Sequence, residues 1–318
     1  MRIAPLLAVL ALVALPAGSA QATPPGVNGP IAYVSSRAGP PAPMVVDPDG
    51  GIPRAVGRPG QVAPAWSPDG SALAVAGATR SPRAPAVFEI YTMRLGGDPT
   101  AITSDHGQDF DPAWSPDGKR IAYSRTTGDN RDVWVVDATG GNAHRLTTDR
   151  ADDGMPSWSP DGTEIAFTRT RGTDNVILVM AADGTNARTL TTGSGDAEDP
   201  DWSPDGSRIA FTHYARGSST ADIQTMNATG GDVRSLVHTR ANETQPAWSP
   251  DGQELAFTSN RRKHDDVWVI PAAGGRPTDV TPDAASDDSP AWGPRTAVGD
   301  LNAVPGLQPA RRLQGPSL

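Results

Sequence analysis

Carboxylates recur at one kind of place in this chain, in the few residues ahead of a repeated tryptophan. Asp109 and Asp111 precede Trp114, Asp152 and Asp153 precede Trp158, and Glu198 and Asp199 precede Trp202. Glu243 precedes Trp248, Asp287 and Asp288 precede Trp292, and only Trp66 lacks an acid before it, with Gln61 in that place. Asp109, Asp153, Glu243 and Asp287 each stand five residues before their tryptophan, so a structure that repeats around an axis sets them at equivalent positions. Acids gathered at the mouth of a cleft focus a negative field that attracts a cation or a basic peptide segment. Oxygen-only ligands suit a hard ion such as Ca²⁺, although a wide rim supplies fewer than the roughly 6–8 oxygens such an ion takes. The same acids also have arginines to pair with, Arg125, Arg169 and Arg261 among them, and both uses stay open at this level.

Other chemistry is sparse. The chain has no cysteine, which excludes disulfides, thiolate metal sites and cysteine nucleophiles. A Gly-x-Ser-x-Gly elbow, a His-Glu-x-x-His pair and a Gly-Lys-Ser/Thr phosphate loop are all absent. The five histidines, His106, His144, His213, His238 and His264, are scattered, so a metal-dependent site would need them to meet from distant segments. A formal net charge of −9 argues against nucleic acid as a partner, because such binding depends on neutralising phosphates.

The elements that position the acids follow from a repeat. Pro64-Ala65-Trp66-Ser67-Pro68-Asp69-Gly70 returns at 112–118, 156–162, 200–206 and 246–252, and a degraded sixth copy reads Pro290-Ala291-Trp292-Gly293-Pro294. The tryptophans Trp66, Trp114, Trp158, Trp202, Trp248 and Trp292 are spaced 48, 44, 44, 46 and 44 residues apart, a blade-sized period. Each unit parses into four strands: one ending at the tryptophan, a Ser-Pro-Asp-Gly hairpin, a second such as Ile121–Ser124, a third such as Asp132–Val136, and a fourth near Arg145. The aspartates of that hairpin (Asp69, Asp117, Asp161, Asp205, Asp251) are turn formers rather than ligands. Ala32, Ala74, Ala122, Ala166, Ala210 and Ala256 recur between two large residues, which leaves room for a neighbouring blade's aromatic ring. The tryptophans therefore read as core between blades rather than as a sugar-stacking platform.

The expected fold is all-β, a six-bladed β-propeller with four antiparallel strands per blade. Three strands from the start and one from the end make the closing blade. Residues 1–22 have the layout of a secretory signal peptide, with Arg2, an apolar run from Ile3 to Leu15 and Ala20-Gln21-Ala22. Residues 23–28 are a short linker, 29–294 the propeller, and 295–318 a flexible Pro/Gly-rich tail. No later stretch is apolar enough to span a bilayer.

The Pro-x-Trp-Ser-Pro-Asp-Gly-x-x-Ile-Ala-Phe signature resembles the repeat of TolB-type propellers over residues 29–294, without the N-terminal α/β domain that accompanies the propeller in TolB. The signal-peptide layout implies export to the periplasm or beyond, with a protein or basic peptide segment of the cell envelope as the expected partner. The expected function is thus a monomeric module that binds a protein or basic peptide through its acidic face, with no cofactor beyond a possible Ca²⁺. Related propellers also occur in polysaccharide lyases and hydrolases, so an enzyme with its site over the channel is the alternative.

Overall fold

Each Ser-Pro-Asp-Gly segment turns the chain between the first two strands of a blade. Gly70, Gly118, Gly162, Gly206 and Gly252 sit at φ between +67° and +71°, where a side chain would be strained. In every copy the serine hydroxyl donates to the aspartate Oδ1, and that oxygen also accepts the backbone N–H two residues on.

The structure, a computed structural model, describes residues 26–79, 86–104, 107–193, 195–295 and 307–309. These form six antiparallel sheets arranged as a propeller. Blade 1 runs from Gln61–Trp66 to Thr100–Ala101, blade 2 from Gln108–Trp114 to His144–Arg145, and blade 3 from Asp153–Trp158 to Arg188–Thr189. Blade 4 runs from Gly195–Trp202 to Arg234–Val237 and blade 5 from Glu243–Trp248 to Thr278–Asp279. Blade 6 joins the two ends of the propeller: Asp287–Pro294 pairs with Asn28–Ser35, placing Trp292 opposite Ile31 and Ala291 opposite Ala32. The expected signal segment lies outside the described residues, and no helix among the described residues is long and apolar enough to cross a membrane.

Of the tail expected over 295–318, residues 295 and 307–309 are described. Gln308–Pro309 adds a fifth strand to blade 6, with Gln308 opposite Ala55 and Pro309 opposite Arg54. Leu307 is buried between blades 6 and 1 in a cluster with Val45, Val56, Trp66 and Met93. The physical reason is that Arg54–Ala55 would otherwise be a bare edge, and an outermost strand tolerates proline.

Packing between blades follows the large–small–large alternation. All six alanines of the second strands are completely buried, and the six tryptophans are buried beside them. Trp158 shares a cluster with Ala113, Ala122 and Val133 of blade 2, and its Nε1 donates to the Ala113 carbonyl at 3.2 Å. The degraded sixth copy has a packing cause. A Cβ on Gly293 would lie 2.6 Å from the Trp66 ring, so the serine of the other copies cannot stand there.

The innermost strand of every blade carries a β-bulge. Ala63, Asp111, Met155, Asp199, Gln245 and Ser289, each three residues before its tryptophan, adopt φ between +50° and +57° where the ladder register breaks. Each is followed by the proline of the repeat. Proline has no N–H to give to a ladder and is accommodated within sheets at bulges.

Candidate functional site

The acids five residues before the tryptophans occupy equivalent places, but they do not make an open negative rim. Asp109 accepts a fork from Arg125 Nε and Nη2, both at 2.7 Å, and Asp153 accepts the same fork from Arg169, both at 2.7 Å. Glu243 pairs with Arg261 at 2.8 Å and Asp287 with Arg37 at 2.7 Å. All four carboxylates are fully buried. Each arginine also lies over an aromatic ring: Trp134 for Arg125, Phe167 for Arg169, Trp268 for Arg261 and Tyr33 for Arg37.

A further acid comes from the third strand of the preceding blade. Burial pushes Glu89 up to about 7 and Asp109 adds to the rise, while Asp132 acts on Arg169 and Asp266 faces Asp287. Four like charges repelling around a channel are therefore replaced by compensated clusters between blades. A buried carboxylate needs such a partner, since losing it leaves an isolated charge in the interior.

The unspent acidity lies one step further along each inner strand. Asp111 and Asp199 stand on the bulges of blades 2 and 4, both buried, and each has one oxygen, Oδ1, without a hydrogen-bond partner. Their Oδ2 atoms are held from the second strand, Asp111 by the Ser124 hydroxyl at 2.9 Å and Asp199 by the Thr212 hydroxyl at 3.0 Å. Ser124 and Thr212 then accept the bulge N–H of the next blade, from Met155 and Gln245, both at 2.9 Å. Thr258 continues the pattern by donating to Gln245 Oε1 at 2.9 Å and accepting from the Ser289 N–H at 3.2 Å. The bulge thus turns each side chain inward, and a hydroxyl relay locks it there.

Above these bulges is a cavity of about 340 Å³ lined from blades 1, 4, 5 and 6 at once, which places it on the propeller axis. Glu198, Asp199, Asp265 and Asp288 line it together with Tyr214, Asn242, Gln245 and Ser289. Burial pushes Asp111 and Asp288 up to about 6 and Asp199 well above its ordinary range, and the charges of Glu198 and Asp111 raise Asp199 further. Arg131 is the cation that opposes the rise, acting on both Asp111 and Glu198.

Of the acids expected at the rim, the structure therefore brings Glu198, Asp199 and Asp288 into one cavity, with Asp111 near enough for its charge to act on Asp199. Asp109, Asp153, Glu243 and Asp287 go into ion pairs. Asp152 accepts the Arg131 N–H at 2.9 Å and ties blade 3 to blade 2. The acid pattern ahead of the tryptophans does not single out Glu89, Asp132 or Asp266, nor Asp265 or Asp201. Asp265 carries no signal beyond its charge. Asp201 does carry one, because it occupies the x of Pro-x-Trp where the other copies have alanine or serine. It is fully buried, accepts the Trp248 N–H at 2.7 Å, and burial holds its pKa far above the usual carboxylate range.

Among the described residues the histidines do not converge. His144 is exposed at the edge of blade 2, His213 lies on the face of blade 4, His238 contacts Asp222 at 2.6 Å, and His264 contacts Asp266 at 3.1 Å. His106 lies outside the described residues. Among the described residues, no three His, Asp or Glu side chains are grouped so as to hold a metal ion.

The elevated Asp111 makes a testable linkage. A carboxyl whose folded pKa is near 6, above its ordinary value near 4, binds more protons folded than unfolded between those pH values. Stability contributed by this group is present below about pH 4 and is lost as pH rises through about 6. Asp111→Asn keeps the Ser124 contact and suits the left-handed backbone, so its melting temperature should exceed the parent's at pH 7.5 and match it at pH 4. An equal gap at both pH values would sink this account.

A six-bladed propeller with an acidic, relay-braced axial cavity is the class these features define. The chain belongs to the TolB β-propeller domain family, whose sequence profile matches residues 29–220 and 193–298. Among solved structures it is similar to TolB from Acinetobacter baumannii, at 26% identity and a TM-score of 0.72, covering 84% of this chain and 67% of that one. It is also similar to a chain assigned as TolB from Agrobacterium tumefaciens, at 24% identity and a TM-score of 0.63, covering 80% of this chain and 88% of that one. An oligogalacturonate lyase from Vibrio parahaemolyticus shares the fold alone, at 13% identity and a TM-score of 0.52, covering 74% of this chain and 76% of that one. No curated protein sequence matches.

Proposed function

We propose that this protein is an exported binding module that captures a partner protein by a cationic segment, an arginine or lysine side chain, inserted at the acidic mouth of the propeller. The observation that carries the reading is the Asp199 carboxylate, buried on the axis with Oδ1 unpartnered beside Glu198 and Asp288 in one 340 Å³ cavity. Burial and the neighbouring acids make Asp199 costly to ionise, and an arriving guanidinium or ammonium offsets that cost. Membership of the TolB propeller family favours a protein partner over a substrate, and among the described residues the histidines offer no converged catalytic set. Ca²⁺ would share the same carboxylates with the peptide rather than occupy a dedicated ligand set, so millimolar Ca²⁺ should compete.

The test is a calorimetric titration of the mature protein with an arginine-bearing peptide and with its glutamate counterpart. The basic peptide should bind and the acidic one should not. Affinity should weaken as salt rises, because the attraction is screened over about 8 Å at physiological ionic strength. It should also fall as pH drops through about 6, where Asp111 and Asp288 take up protons. Glu198→Gln with Asp288→Asn should weaken binding about tenfold or more, one charge-assisted contact being worth roughly that. A double variant that binds the basic peptide as the parent does would remove the mouth from consideration.

A further inference from the structure

The interface between blades 3 and 4 breaks the pattern of its neighbours. At the interfaces into blades 2 and 3, register pairs set the carboxylate opposite its arginine, Asp109 opposite Arg125 and Asp153 opposite Arg169, with Glu89 and Asp132 supplied by the blade before. In blades 2 and 5 the arginine lies over a third-strand tryptophan, Arg125 over Trp134 at 4.8 Å and Arg261 over Trp268 at 4.3 Å. At the matching positions of the blade 3–4 interface all of these groups are exchanged. Val176 replaces the third-strand acid, Ala197 the inner acid, His213 the arginine and Gln224 the tryptophan.

The exchange leaves space. A pocket of about 270 Å³ opens there, lined by Val176, Leu190, Ala197, Phe211, His213 and Gln224 among others. The blade 6–1 interface has also lost its charges, with Ala42, Gln61 and Gly77 in these places, yet it is filled. A Cβ on Gly77 would lie 3.2 Å from the Gln61 side chain and 3.3 Å from the Tyr91 ring. The blade 6–1 interface is thus filled where the blade 3–4 interface is open, and what blades 2 and 5 put into that place is an indole under a guanidinium.

We infer that this pocket is a binding site for a single planar aromatic ring bearing an N–H, of which indole is the type. The walls are apolar and aromatic, with the Phe211 and His213 rings edge to face at 6.4 Å between centroids. The polar groups are complementary to a ring N–H. Gln224 Nε2 is 3.2 Å from His213 Nδ1, and because an amide nitrogen only donates, Nδ1 accepts. The Gln224 Oε1 is thereby left as an acceptor in a pocket whose other polar side chains are His213, Thr191 and Thr192. A cavity smaller than the roughly 300–1,000 Å³ of sites for drug-sized ligands suits one fused ring system and little more.

The experiment uses saturation-transfer NMR on the mature protein with free indole and with N-acetyl-tryptophanamide, which stand for a small indolic molecule and for a tryptophan side chain of a partner. At least one should bind, with Kd on the order of 1 mM for so few heavy atoms. Binding of indole alone assigns a free metabolite, and binding of the amide assigns a peptide. The variant Ala197→Asp/His213→Arg/Gln224→Trp rebuilds the filling seen in blade 2 and should abolish the transfer while the protein stays folded. Gln224→Leu, the residue type that blade 3 carries as Leu178, keeps the walls and removes the acceptor. In the parent, indole should bind about fivefold or more tighter than 1-methylindole, and in Gln224→Leu the two should bind alike. No transfer to either probe at about 5 mM, several times the expected Kd, would overturn the inference, as would undiminished binding in the rebuilt variant.

Discussion

Trp158→Ala should lower the stability of the propeller by about 3–5 kcal/mol, the range for deleting a fully buried aromatic side chain from a core. Trp158 has no exposed surface and packs across the blade 2–3 interface, and Arg120 covers its ring at 4.8 Å. The Ala113 carbonyl would also lose the indole N–H that it accepts. A smaller loss is expected for Trp114→Ala, because that tryptophan is slightly exposed and its Nε1 has no partner. Ala166→Leu should destabilise from the opposite direction by about 1–3 kcal/mol, since no space remains around a completely buried alanine. Urea denaturation midpoints at unchanged slope measure all three. Unaltered stability of Trp158→Ala, with loss of sugar binding, would return the tryptophans to the role of a stacking platform.

Much of this architecture was legible because it repeats. Turn chemistry, the large–alanine–large alternation and the tryptophan period each point to blades, and six copies make the signal stronger than any one copy does. The acids were legible as positions but not as states. Arg125, Arg169 and Arg261 follow their acids within 16 to 18 residues, and the sequence names them as partners without deciding that the pairs form. Arg37 pairs with Asp287 across 250 residues, a contact that only ring closure creates. The bulge was invisible for a different reason. Alanine, aspartate, methionine, glutamine and serine have no shared preference for a left-handed backbone, and the proline that follows does not impose one, since the serines before the second proline of each repeat are not left-handed. Since the bulge decides which side chain turns toward the axis, Asp199 and Asp111 could not be told from Asp109 by spacing. The pocket between blades 3 and 4 shows the converse: Val176, Ala197, His213 and Gln224 become informative only when aligned by strand register with the blades that differ.

Two truncations should separate ring closure from its reinforcement. A chain ending at Ser289 loses the rest of the strand that pairs with Asn28–Ser35, including Trp292 opposite Ile31. It also uncovers Trp66, which rests on Gly293 and donates from Nε1 to the Ala291 carbonyl at 3.2 Å. Two sheet edges and an interblade face would then be exposed together, so this protein should aggregate or melt far below the parent. A chain ending at Arg295 keeps the closing strand and loses Leu307 and the fifth strand of blade 6. Burial of one leucine contributes about 1.5–3 kcal/mol, which for a propeller of this size amounts to a fall of roughly 3–5 °C in melting temperature. Leu307→Ala in the full chain should reproduce most of that smaller fall, because only the side chain inserted between blades 6 and 1 is removed. Scanning calorimetry on the three proteins reads the order directly: full chain highest, Arg295 end and Leu307→Ala together below it, Ser289 end lowest or unfolded. If the Ser289 and Arg295 ends melted alike, blade 6 would not be closed by its C-terminal strand. If the Arg295 end melted with the full chain, Leu307 would carry no part of the interface in which it is buried.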